Sequence, residues 1–165
     1  MSKGDVDVLI LGIGNILLRD EGVGVRAVEA LEKRFLMPKS VEIIDGGTAG
    51  FELLSYIRNR EYLIVIDAIA HGQAPGTVMR VEGEDVRATF SHRISPHQLG
   101  ISDVLAASLV AGEPPRNLVL FGIEPKDITT GLDLSDEVSE SLDKLVSCVV
   151  DELVSIGCEL TARPN

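Results

Sequence analysis

Residues 7–24 read Asp7-Val8-Leu9-Ile10-Leu11-Gly12-Ile13-Gly14-Asn15-Ile16-Leu17-Leu18-Arg19-Asp20-Glu21-Gly22-Val23-Gly24. The apolar run from Val8 to Ile13 has the pattern of a strand buried on both faces, the habit of parallel sheets. Gly12 and Gly14 supply a tight turn after it, and helical spacing takes over near Asp20. Strand, glycine turn and helix in that order open a βαβ unit, so an α/β fold is expected. The turn begins like a dinucleotide-binding motif and then departs from it. Position 17, where the third glycine belongs, is Leu17, and Asp20 and Glu21 stand at the helix start, where a pyrophosphate needs free N–H groups and a positive dipole end. Two carboxylates there repel phosphate and suit a divalent cation.

The alternation of strand and helix continues along the chain. Spacing predicts a first strand over 7–13 and a helix over 21–35 whose apolar face is Val25, Val28, Leu31 and Phe35, stopped by Met37-Pro38. A second strand over 41–44 runs into Asp45-Gly46-Gly47-Thr48, and a short helix covers Phe51, Leu54 and Ile57. The run Tyr62-Leu63-Ile64-Val65-Ile66 before Asp67 marks a central strand. Nine residues, 68–76, separate it from a strand over 77–81. That is too few for a helical crossover, so the pair is expected to be antiparallel with the sheet as a whole mixed. A helix over 96–110, a strand over 118–123 and a helix over 136–154 complete the pattern. The last helix has Ser135 as N-cap and apolar positions Val138, Leu142, Leu145, Val146, Val149 and Leu153. The expected architecture is one domain over residues 1–165, a three-layer α/β/α arrangement with a twisted, mostly parallel mixed sheet of about five strands.

With 165 residues, 45% of them apolar, the chain can bury a core of its own. A formal net charge of −11 argues against nucleic acid and anionic membranes as partners, because both are polyanions. Cys148 and Cys158 could pair in principle, but two buried free thiols in a reducing compartment are expected, and no Cys-x-x-Cys spacing supports a structural zinc. The apolar stretch from Val8 to Leu18 is broken by Gly and Asn, is too short to span a bilayer and follows Asp5 and Asp7 rather than a basic segment. A cytoplasmic location is expected.

Ligands of open α/β sheets bind beyond the carboxyl ends of the strands. The polar side chains expected there are Asn15, Asp20, Glu21, Asp45 and Asp67. Asp67 ends an apolar strand, and a buried carboxylate costs several kcal/mol unless a hydrogen bond, a cation or a metal compensates. It either caps a neighbouring loop or binds something. In Ser95-Pro96-His97-Gln98, serine is the N-cap and proline takes the first helical position. His97 therefore falls in a first turn whose dipole disfavours the imidazolium and leaves a ring nitrogen open to a metal, a structural role being the alternative. His71 and His92 read as surface residues. One of Asp20 and Glu21 is expected only to complement the helix dipole, and Asp45 to support a turn. Gly22 and Gly24 weaken the helix start, which implies a close approach to the backbone there. No His-Glu-x-x-His helix, Gly-x-Ser-x-Gly elbow, Walker loop or paired Cys and His is present. Two carboxylates and an imidazole from three segments suit zinc or nickel, and donor type alone does not choose between them.

Four segments, Gly12-Ile13-Gly14-Asn15-Ile16-Leu17-Leu18-Arg19-Asp20-Glu21-Gly22-Val23-Gly24, Asp45-Gly46-Gly47-Thr48-Ala49-Gly50, Asp67-Ala68 and Ser95-Pro96-His97-Gln98, resemble in order the motifs of the hydrogenase maturation endopeptidases. The resemblance implies a three-layer α/β fold. It also implies a nickel-dependent endopeptidase that removes the C-terminal extension of a nickel-iron hydrogenase large-subunit precursor after nickel insertion, so that the precursor is the partner and supplies the nickel. Carried over residue by residue, it makes Glu21, Asp67 and His97 the metal contacts, Glu21 and Asp67 catalytic as well, and Asp45 a supporting catalytic residue near the cleavage site. Some members of the family carry aspartate where Glu21 stands. Three rival readings are a non-catalytic nickel-binding maturation scaffold on the same ligands, a nucleotide-binding module and a general metallopeptidase acting with zinc.

Overall fold

The computed structural model describes residues 6–91 and 96–165, the side chains at 91 and 96–99 excepted. In chain order the elements are β1 (Val8–Ile13), a 3-10 turn (Arg19–Gly22), α1 (Val23–Arg34), β2 (Phe35–Leu36), β3 (Val41–Gly47), a second 3-10 turn (Phe51–Leu53), α2 (Leu54–Ile57) and β4 (Tyr62–Ala68). Then follow β5 (Val78–Glu82), α3 (Glu84–Ser91), α4 (Pro96–Val110), β6 (Asn117–Ile123), α5 (Asp136–Ser155) and β7 (Thr161–Ala162). The main sheet has five strands in the order β3-β1-β4-β6-β5. All pairs are parallel except β5 with β6, as the short connection from β4 requires.

Side chains alternate across each strand and so sort the core into two layers. Val8, Ile10, Ile64, Ile66, Val119 and Phe121 pack with α1 and α5 on one face. Leu9, Leu11, Ile13, Leu63, Val65, Leu118 and Leu120 pack on the other with Leu53, Ile57, Val86, Phe90, Ile101, Val104 and Leu105 from the second 3-10 turn, α2, α3 and α4. The three-layer reading of the sequence holds.

The chain leaves β1 toward β3 on one side and returns past it to β4 on the other, and both β3 and β4 pair with β1. The carboxyl ends of β1 and β4 therefore form the topological switch point, where connections diverge and a crevice opens. Asp67 lies in β4 at this rim, in the same alternation as Leu63 and Val65, so it belongs to the face covered by α4.

Four features differ from the sequence reading. The helix over 21–35 starts as a 3-10 turn and becomes α-helical only at Val23. Phe35 turns extended, with φ −132° and ψ 149°. Phe35 and Leu36 pair antiparallel with Thr161 and Ala162, a match between segments far apart in sequence that neither announces alone. Helix α3 has little signature in the sequence because only Val86 and Phe90 of its eight residues mark a buried face. The predicted second strand also extends through Asp45 to Gly47.

Ser135 caps α5, its hydroxyl accepting from the Val138 N–H. Both cysteines are free thiols; Cys158 is buried, whereas Cys148 is only half-buried, because it lies toward the edge of the α5 stripe. Among the described residues no helix is long and apolar enough to cross a membrane.

Candidate functional site at the β1–β4 switch point

Glycine at four positions lets the first motif fold onto itself. A Cβ at Gly12 would meet the Gly24 carbonyl oxygen at 2.3 Å, and one at Gly24 would meet the Ile66 and Ile13 carbonyl oxygens at 2.2 and 2.4 Å. Helix α1 thus starts in direct backbone contact with the ends of β1 and β4. Gly14 has φ +132°, and a Cβ there would lie 1.8 Å from the Glu21 carbonyl oxygen; one at Gly22 would lie 2.7 Å from the Ile16 Cα. What approaches these glycines closely is the chain's own backbone. The space that would cradle a pyrophosphate is filled by the turn itself, which removes the structural basis of a dinucleotide site.

Asp20 and Glu21, adjacent in sequence, have different surroundings. Asp20 is 0% exposed, and its carboxylate accepts four hydrogen bonds. The Ser135 N–H donates to Oδ1 at 2.7 Å, and the Lys126 N–H, the Asp127 N–H and the Ser135 hydroxyl donate to Oδ2 at 2.9, 2.9 and 2.8 Å. The Asp20 N–H in turn donates to the Asp127 carbonyl at 3.0 Å. This acid ties the first motif to the 124–135 loop and to the N-cap of α5. It does far more than complement a helix dipole. Glu21 is half-buried, in a turn that packs against β4.

The same loop is fixed at further points. Leu18 bridges to Gly131, with the Arg19 N–H donating to the Gly131 carbonyl at 3.0 Å and the Gly131 N–H to the Leu17 carbonyl at 2.9 Å. Arg19 takes a left-handed φ of +48°, a conformation costing a side chain about 1–2 kcal/mol, and its Nε lies 3.7 Å from Asp127 Oδ2. The Asp127 carboxyl also accepts from the Thr129 hydroxyl and N–H at 2.6 and 2.9 Å, which hold it below the ordinary aspartate range.

Asp67 is 0% exposed, and its Oδ1 accepts from the Ala68 N–H at 2.8 Å. Asp45 is exposed at the end of β3, where its Oδ1 accepts from the Gly47 N–H at 2.9 Å and shapes the turn into Gly46-Gly47. That loop meets the start of α4, since a Cβ on Gly100 would be 3.9 Å from the Gly50 Cα. The sheet rim therefore collects the turn carrying Glu21, the end of β4 carrying Asp67, the Asp45 loop and the first turns of α4. The His97 side chain, His92 and the Ser95 cap lie outside the described residues. Among the described residues no three His, Cys, Asp or Glu side chains gather to hold a metal. His71 is exposed, as expected.

The rim holds one acid that is absent from the sequence-based set. Glu124 follows β6 directly, is 6% exposed, and its Oε2 accepts from the His71 N–H at 2.6 Å. Its backbone completes the link, the Glu124 N–H donating to Thr77 and its carbonyl accepting from Gly76 at 2.9 and 2.8 Å. Glu124 thereby pins the loop after Asp67 to β6. The signal was present, an acid immediately after an apolar strand, the same pattern that marks Asp67.

Fold and rim together define a three-layer α/β protein whose switch point presents carboxylates in place of a phosphate cradle. The chain belongs to the hydrogenase maturation protease family, whose sequence pattern matches residues 25–152, and it is an endopeptidase of that family. The hydrogenase 2 maturation protease of Escherichia coli strain K12 is 46% identical to it over 157 residues, covering 94% of this chain and 96% of the relative. The solved structure of the hydrogenase maturating endopeptidase HybD from Escherichia coli matches with a TM-score of 0.93 at 46% identity, over 96% of this chain and 98% of that one. The [NiFe] hydrogenase maturation protease HybD from Thermococcus kodakarensis matches at 0.74 with 29% identity, over 89% and 99%.

Proposed function

We propose that this endopeptidase removes the C-terminal extension of a nickel-iron hydrogenase large-subunit precursor once nickel is in place, and that it does so in the cytoplasm. The observation that carries the reading is the fully buried Asp67 carboxylate at the switch point, beside the turn that bears Glu21. Carboxylates brought together at one rim suit a substrate that carries its own divalent metal. Glu21, Asp67 and His97 are the three groups assigned to that metal, with His97 in the first turn of α4.

Carboxylate oxygen and imidazole nitrogen are donors that nickel accepts, and the metal, as part of the substrate, would polarise the scissile carbonyl or lower the pKa of an attacking water. The residues of this chain orient the substrate's metal and, through whichever of Glu21 and Asp67 faces the water, take its proton. Asp45 shapes the loop against which the substrate chain would lie. A site with so few donors would hold free nickel weakly, so cleavage would follow only when the precursor has been loaded. The two free thiols agree with a reducing compartment.

The test is incubation with nickel-loaded precursor and detection of the released peptide by mass. Release from loaded precursor, none from precursor made without nickel, and none with Asp67→Asn is the expected pattern. Equal release from nickel-free precursor would remove the nickel requirement.

A further inference from the structure

Four aliphatic side chains stand in water on the two segments that the Asp20 carboxylate ties together. Ile16 and Leu17 lie on the β1 turn at 37% and 56% exposure, and Ile128 and Leu132 on the facing loop at 55% and 60%. Single exposed leucines are ordinary; four on adjoining loops are not. The backbone that presents them is rigidly held. The Leu17 N–H donates to Asn15 Oδ1 at 2.9 Å, its carbonyl accepts from Gly131, and the Leu132 carbonyl accepts from Arg26 Nη2 at 3.3 Å. A buried carboxylate and a β-bridge fix the two segments that carry these side chains, and Arg19 between them is left-handed.

The patch adjoins the candidate site along the chain, because the turn that carries Glu21 follows Ile16 and Leu17 directly. Its rim is acidic. The nearby cations are already engaged, Arg19 with Asp127, Arg26 with Glu29 and Lys126 with Glu137, while the exposed Asp133 and Asp136 add negative charge. An apolar surface with a negative rim is complementary to a segment that carries aliphatic and basic side chains.

We propose that Ile16, Leu17, Ile128 and Leu132 form the docking surface for such a segment of the substrate protein, holding it while the scissile bond reaches the rim of β1 and β4. The inference rests on the proposed function and adds to it the chemistry of the contact. Because the patch lies beside the acids and outside the reacting groups, it governs binding of the substrate and leaves the chemical step alone.

The measurement is steady-state cleavage of the nickel-loaded precursor, with binding of the same precursor followed separately by surface plasmon resonance. Leu17→Ser and Leu132→Ser are each expected to raise KM and Kd about tenfold with kcat unchanged, and Asp133→Lys to raise both at low salt with the effect fading as salt screens it. Thermal melts of these exposed-site variants should match the parent. Unchanged KM and Kd would overturn the proposal, as would a fall in kcat alone. Tighter or unaltered binding by Asp133→Lys would overturn the basic character of the segment. If the parent chain self-associates and the leucine substitutions dissolve that association, the patch belongs to a second copy and the proposal fails. A parent that binds precursor through these residues but does not cleave it would sink the functional reading and leave the docking surface standing.

Discussion

Replacing Asp20 separates a structural acid from its neighbour Glu21. In the folded chain the Asp20 carboxylate is wholly buried and accepts from three backbone N–H groups and the Ser135 hydroxyl. Hydrogen bonds to a charged group contribute about 1.5–3 kcal/mol each, and breaking a buried charged constellation from one side costs about 3–5 kcal/mol. Asp20→Ala leaves its backbone donors without their acceptor and is expected to cost about 4 kcal/mol, a large part of a stability of about 5–15 kcal/mol. Asp20→Asn can keep its carbonyl in the place of Oδ2, serving Lys126, Asp127 and Ser135 Oγ. Its amide group then faces the Ser135 N–H, donor against donor, and the remaining bonds lose their charge assistance. A cost of about 2–3 kcal/mol follows, which lowers Tm by about 5–10 °C for a chain of this size. Urea and thermal unfolding followed by far-UV circular dichroism measure both. A structural role for Asp20 is refuted if Asp20→Ala unfolds within about 0.5 kcal/mol of the parent, the range of an ordinary surface substitution.

Glu21→Gln keeps the size of its side chain and should leave Tm within a few degrees while precursor cleavage falls at least about a hundredfold, the scale of a lost acid–base or metal-orienting group; cleavage at the parental rate would dismiss Glu21 from the site. Asp67→Asn should likewise abolish cleavage, with the folded far-UV spectrum retained as its control. Gly24→Ala sets a methyl against the Ile66 and Ile13 carbonyl oxygens and is expected to destabilise the chain by about 3 kcal/mol or more, so an unchanged melting curve would contradict the packing of α1 on β1 and β4. Acid titration offers a further check. The Lys126 side chain holds the Glu137 carboxyl below its ordinary value of 4.5, and the Thr129 hydroxyl and N–H hold Asp127 below its ordinary 3.8, so each contribution is present above the ordinary value of its own carboxyl and fades as pH falls through the lowered range. Glu137→Gln should therefore flatten the acid limb of a plot of Tm against pH, and parallel curves for parent and variant would count against the pairing.

The order of strands and helices was readable because each long element repeats its own period. Val8 to Ile13 and Tyr62 to Ile66 are continuous apolar runs, and Val138, Leu145, Val149 and Leu153 trace one stripe of α5. The antiparallel sense of β5 followed from the length of a connection. Helix α3 and the β2–β7 pair were hidden because two apolar positions carry little periodicity and because a strand pair is a relation between distant residues. At the site, Asp67 was legible as an acid ending a buried strand. Glu124 obeys the same rule after β6.

The amino-acid order alone determined the α/β class, the glycines that let α1 lie on β1 and β4, and the absence of a phosphate-binding third glycine, since each is a property of one contiguous stretch. Only the tertiary structure decided which of two adjacent acids is structural. Asp20 and Glu21 have the same charge and the same local sequence. What distinguishes them is a set of donors 106 to 115 positions downstream, brought to Asp20 by the return of the chain from β6 to α5. A carboxylate's role follows from the groups around it, and those are assembled by the fold.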